Sequence, residues 1–160
     1  MSQLFVDTIT EKTAGNGVQI PGHVVQVVDA SSTTATSLTS PTSGTWYAVQ
    51  PLVTISPKFA NSKIVIQHYA GGLVQANSSV GLRISRNGTV IYSNDRHGFT
   101  GSVNDWSSVN WSSIWVDSPA TTSAVTYSFE IASFGGASLR HNDGQVAANT
   151  AFTIAMEIAQ

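Results

Sequence analysis

The chain has no cysteine, so no disulfide and no thiolate metal site can hold it together. Charge is scarce as well. Asp, Glu, Lys and Arg make up 10% of the 160 residues, against about 25% in an ordinary soluble domain. That shortage argues against exposed helix faces, which Glu, Lys and Arg normally fill, and against a disordered chain, which is usually charge-rich. The net charge is −2 with no cluster of Lys and Arg, so the footprint of a nucleic-acid binder is missing. No apolar run approaches the roughly 18 residues of a membrane span. The opening Met1-Ser2-Gln3-Leu4-Phe5 lacks the basic and then apolar layout of a signal peptide, so synthesis in a cytoplasm is expected.

Catalytic signatures are equally sparse. The four histidines, His23, His68, His97 and His141, form no HExxH pair, and there is neither a GxSxG elbow nor a phosphate-binding glycine loop. Gly15-Asn16-Gly17 is half of a dinucleotide fingerprint and runs into a strand where a helix start is needed; it reads as a turn. Asp95, Asp105, Asp117 and Asp143 are the carboxylates from which a glycan depolymerase would have to be built, and they follow no pattern. No enzymatic role, cofactor or metal is expected. His141 and Asp143 read as part of a polar turn.

What is present is strand signal. Candidate strands run over Val24 to Val28, Trp46 to Ile55, Lys63 to Tyr69, Gly81 to Arg86, Thr89 to Ser93 and Ser113 to Asp117. Pro51 predicts a break, bulge or edge. Asn87-Gly88 between two apolar runs is a hairpin signal, because both turn positions need φ > 0. Two later stretches alternate. Val125, Tyr127, Phe129 and Ile131 share one face. Phe152, Ile154, Met156 and Ile158 share another, with Thr153, Ala155 and Glu157 opposite. Period two predicts a buried apolar face and a wet polar one, so Phe129 and Ile154 are expected in the core and Thr126 and Thr153 outside it. The fold expected is all-β, an antiparallel β-sandwich or jelly roll of about eight strands. The stretches 30–45 and 94–112 are expected to be long loops. His68 is expected at the core edge with one hydrogen bond, and Trp111 and Trp115 inside the sandwich or between subunits.

Residues 1–22 read as a separate extended arm. Its apolar residues Leu4, Phe5, Val6 and Ile9 cannot build a core alone and need a neighbouring surface. Residues 23–160 form the head domain. Within it, Asp95, Arg96, His97, Phe99, Asp105 and Trp106 concentrate in one stretch. Two readings of that stretch stand side by side: a glycan-contacting loop, with an aromatic ring stacked on a sugar, or a solvated loop touching neighbouring chains.

The segment VDTITEKTAGNGVQIPG (Val6 to Gly22) resembles one that recurs in tail-fibre and related virion proteins of bacteriophages, notably marine and cyanobacterial ones. SPKFANSKIVI (Ser56 to Ile66), WVDSPATTSAVTYSF (Trp115 to Phe129) and NTAFTIAMEIAQ (Asn149 to Gln160) resemble the β-domain that follows it there. The resemblance implies a homotrimeric β-sandwich head, a place in the virion, and other phage virion proteins of capsid or tail as partners. It implies a spike, fibre tip or capsid-surface decoration. A receptor-binding adhesin for host surface glycans is the alternative. Nucleic acid and membrane insertion are not expected.

Overall fold

The computed structural model describes residues 6, 8–11, 15, 17, 18, 20–75, 78–100, 106–143 and 150–160, without the side chains of residues 99 and 100. Twelve strands lie within them: β1 (Val24–Ser32), β2 (Thr36–Leu38), β3 (Trp46–Ile55), β4 (Lys63–Tyr69), β5 (Gly71–Gln75), β6 (Ser78–Arg86), β7 (Thr89–Thr100), β8 (Trp106–Asn110), β9 (Ser113–Asp117), β10 (Val125–Ser133), β11 (Leu139–His141) and β12 (Ala151–Ile158).

They pair antiparallel in three four-stranded sheets, ordered β1-β12-β4-β9, β3-β10-β6-β7 and β2-β11-β5-β8. The third sheet prolongs the first. β4 runs into β5 through Ala70 alone, β8 into β9 through Trp111 and Ser112, and β1 into β2 across residues 33–35. Each pair takes the same place in its sheet order. The break is bridged by Trp111 N donating to Ala70 O (2.8 Å) and Asn142 N to Gly71 O (2.7 Å). β11 and β12 likewise hold the same place in the two orders, and with all four pairs merged the strands become eight segments in two walls, ordered 1-8-3-6 and 2-7-4-5. That is the double Greek key of a jelly roll.

The core lies between the walls. Ile64 and Ile66 from β4, Ala155 from β12 and Trp115 from β9 meet Val49, Val53 and Ile55 from β3, Leu82 and Ile84 from β6, and Val125, Tyr127, Phe129 and Ile131 from β10. The alternating face expected of β10 is therefore the buried one. Trp111 and Trp115 are both inside the sandwich. Asn87 and Gly88 take φ of 48° and 81° and close the β6–β7 hairpin. Pro51 sits in an edge strand, opposite a register shift between Tyr127 and Phe129.

At the break in the long wall, Gly72 has no room for a side chain. A Cβ there would collide with Arg140 O and Trp111 Nε1. Glycine lets the backbone of β5 pass beneath the indole.

Three expectations fail. The alternation of β12 has the opposite sense: Ala151, Thr153, Ala155 and Glu157 point inward and are fully buried, while Phe152 is 48% exposed and Ile154, Met156 and Ile158 are half-buried on the outer side. The inner row is narrow and takes small residues, or polar ones with partners waiting. The stretch 94–112 is mostly strand, since β7 continues to Thr100 and β8 starts at Trp106. The tract 30–45 contains β2 and the end of β1.

Candidate interaction surfaces

Two buried polar centres are committed to structure, whereas Arg140 Nε, His141 Nδ1 and Asn142 Oδ1 are buried without a hydrogen-bond partner among the described residues. Thr153 Oγ1 donates to the Pro51 carbonyl (3.1 Å) and so accepts from His68 Nδ1 (2.9 Å). His68 Nε2 is then an acceptor, and His141 Nε2–H donates to it (3.1 Å). His68 therefore has two partners and no exposure, not one at a core edge, and its ring stacks on Phe129 at 4.2 Å between centroids. Burial, followed by the nearby His141 and His97, holds the His68 imidazole down at about 3. Burial holds His141 at about 4. Both rings stay neutral near pH 7, and the relay ties β4, β11, β12 and β3 together. His141 belongs to β11 and is fully buried, whereas Asp143 pairs with Arg140 at 3.5 Å. The two do not converge.

Glu157 is the second buried polar centre. Burial pushes its carboxyl up, but donors outweigh that and hold it below the usual range. Its oxygens accept from Lys58 N, Phe59 N, Ser62 Oγ and Gln26 Nε2. The strand pattern of β12 marks Glu157 as solvent-facing; only the Ser56–Ser62 turn wrapped over it shows why it faces inward. Asp117 takes both N–O contacts from Arg86 Nη1 (3.0 and 2.9 Å) and accepts from Tyr127 OH (2.8 Å). Burial, and after it that bond, pushes the Tyr127 phenol up.

Among the described residues, those singled out in 94–106 do not form one cluster. Asp95 and Arg96 are exposed on β7; Asp95 accepts from Ser93 Oγ (3.2 Å). His97 is half-buried, shares a hydrogen bond with Asn110 O (3.1 Å) and lies parallel to Trp111 with centroids 6.0 Å apart. Trp106 is half-buried, and the guanidinium of Arg140 lies 4.5 Å above its ring, so that ring face is not open to a sugar. Asp105 and the side chain of Phe99 lie outside the described residues, as do Leu4 and Phe5 of the arm. Val6 and Ile9 are described and are 50% and 58% exposed. The arm's root is fixed by Gly22 N donating to Ala159 O (2.9 Å).

The outer side of the β1-β12-β4-β9 sheet is a feature that the sequence reading missed. By register, Val27, Met156, Val65 and Val116 lie side by side across it. Asp29, Ile154, Gln67 and Ile114 form the next row, and Phe152 and Tyr69 sit beyond. Gln67, Tyr69, Phe152 and Ile154 line a hollow of about 220 Å³ on this side. The signal was in the chain: β12 alternates cleanly, but period two cannot say which face is inside.

No family model matches the chain, and no curated protein matches it. Among solved structures it is similar to infectious bursal disease virus VP2 in its subviral particle, at 15% identity and a TM-score of 0.35, over 84% of this chain and 38% of that one. The chain thus spans well under half of that protein's length. At this level of likeness, function has to be argued from the residues themselves.

Proposed function

We propose that the chain is a structural protein of a bacteriophage particle, a homotrimer without enzymatic activity. In this reading residues 1–22 attach it to other virion proteins of capsid or tail, and the head, residues 23–160, faces outward as spike, fibre tip or capsid-surface decoration. Jelly rolls serve in viral capsids and in lectins alike, so the fold leaves the choice to the surfaces. The observation that carries the reading is the apolar outer wall. The molecule fills a complete core and still leaves Val27, Ile114, Val116 and Phe152 uncovered, which suits a part of an assembly better than a free-standing domain. The resemblance of Val6 to Gly22 to phage virion segments supports the same reading, and so does the commitment of Asp117, Asp143 and Glu157 to local partners.

The test is deletion of residues 1–20. The truncated head should fold and no longer decorate particles, as seen by electron microscopy of phage grown with it. Decoration at full occupancy by the truncated head, or absence of the full chain from purified particles, overturns the reading. The adjacent exposed pair Asp95 and Arg96 favours a second reading, a receptor-binding adhesin for host glycans. Loss of host-cell binding on changing Arg96 to Ala, with unchanged melting, would select it.

A further inference from the structure

The two walls of the sandwich treat their outer faces differently. On the β3-β10-β6-β7 sheet the outer side is mostly polar and internally paired, with Leu52 as an exposed apolar residue on β3. Thr54 and Thr126 share a hydrogen bond (2.8 Å), and Arg83 grips Glu130 through Nε (2.7 Å) and Nη2 (2.9 Å) while its guanidinium covers Trp46 at 4.7 Å. On the β1-β12-β4-β9 sheet the outer side carries Val24, Val27, Ile114 and Val116 at 53%, 56%, 64% and 63% exposure. An apolar outer face is therefore not a by-product of low charge, because the same chain builds a solvated face elsewhere.

The charges on the apolar wall say what covers it. Among the described residues only Asp29 and Lys63 sit there, with opposite sign and on opposite sides of the Val27–Met156–Val65–Val116 row: Asp29 beside Ile154 on edge strand β1, Lys63 beside Ile158 on β4. Neither forms an ion pair among the described residues. A foreign partner would need both charges matched in the right places, whereas a second copy of the same wall supplies the match by construction. Four strands about 4.8 Å apart and some seven residues long at about 3.3 Å each give a projected face of about 400 Å². A stable pair needs about 800 Å² on each partner, so this wall supplies about half of that area and each copy adds contacts beyond it.

We propose that the outer face of the β1-β12-β4-β9 sheet is the surface through which copies of this chain pack on one another, with Asp29 of one copy set against Lys63 of the next. The proposal rests on the homotrimer of the structural-protein reading and names the surface that builds it.

Sedimentation of the full chain at micromolar concentration tests it. The wild type should sediment as a trimer. Ile114→Glu combined with Val116→Glu should give a monomer with unchanged β circular dichroism, while Leu52→Glu on the other wall, where Leu52 is 42% exposed, should leave the trimer intact. Should the double Glu variant fail to fold, Ile114→Ser with Val116→Thr takes its place with the same expectation. Asp29→Lys and Lys63→Asp should each weaken association by about tenfold, and together they should restore it. A trimer that survives the double substitution overturns this surface and leaves the homotrimer standing. A wild-type monomer overturns both. A wild-type monomer that binds phosphatidylcholine vesicles assigns the wall to lipid and overturns the proposal as well.

Discussion

The inner faces of the two walls are alike and their outer faces are not. Inside, both contribute aliphatic and aromatic side chains with almost no exposure. Outside, one wall spends its few charges on Arg83–Glu130, and the other shows aliphatic rows with a lone Asp29 and Lys63. A β-strand is the same object on both sides, with side chains alternating across it. What separates a polar outer face from an apolar one is therefore the residues at every second position, and here the contrast lies within a single domain.

The largest effects should come where the walls are alike. Phe129→Ala should cost about 3–5 kcal/mol and Ile66→Ala about 2–5 kcal/mol in urea unfolding, since each empties a fully buried site on one inner face. If one of them cost less than about 1 kcal/mol, the inner faces would not be equivalent and the comparison would fail.

Acid should act through the inner face of the β1-β12-β4-β9 wall, which holds His68 on β4. The folded protein keeps His68 and His141 unprotonated down to about 3 and 4, while the unfolded chain takes up protons below about 6.5. Stability is thus complete above about pH 6.5 and falls as pH drops toward 4, by at most about 1.4 kcal/mol per unit for each histidine. Glu157, held below its ordinary value, adds loss in the same direction below about pH 4.5. Urea midpoints at pH 7, 6 and 5 check this; a flat profile would mean that the relay is hydrated and open.

Smaller effects separate the two sides of β12. Thr153→Ala should cost about 1–3 kcal/mol, because it strands His68 Nδ1–H and the Pro51 carbonyl. Ile154→Ala, on the outer side, should cost less than about 1 kcal/mol in a dissociated head and more in the assembled one. The reverse order would restore the face assignment read from the sequence. Least of all, Glu130→Ala on the solvated wall should cost under about 1 kcal/mol and less in high salt, since Arg83 and Glu130 are both partly exposed.

These contrasts also mark what was legible in the amino-acid sequence. The β10 face, the Asn87-Gly88 hairpin and the edge position of Pro51 follow from local chemistry: alternation against a core, a turn that needs φ > 0, an imide without an N–H. The prolonging sheet does not. β2 and β11 are three residues long, and β5 opens with Gly71-Gly72; such strands exist because neighbours pair with them. The inverted β12 has a different cause. Its alternation was legible, but the inward choice was made by His68 and by the Ser56–Ser62 turn, distant in sequence. Of the candidate residues in 94–106, composition found a stretch. It could not foresee that β7 would turn Asp95 and Arg96 to solvent and His97 onto Trp111.

The prolonged sheet also sets a distance. From Lys63 at the arm's end to Gln75 at the other, β4 and β5 run as one path broken only at Ala70, a contour of about 40 Å at about 3.3 Å per residue. That is roughly five times the reach of charge in physiological salt, about 8 Å. The rooted end and the far end, where Gln75 pairs with Trp106, are therefore electrically deaf to one another. Substitutions that retune charge near Gln75 and Trp106 should leave the end where Gly22 meets Ala159 unaware of them.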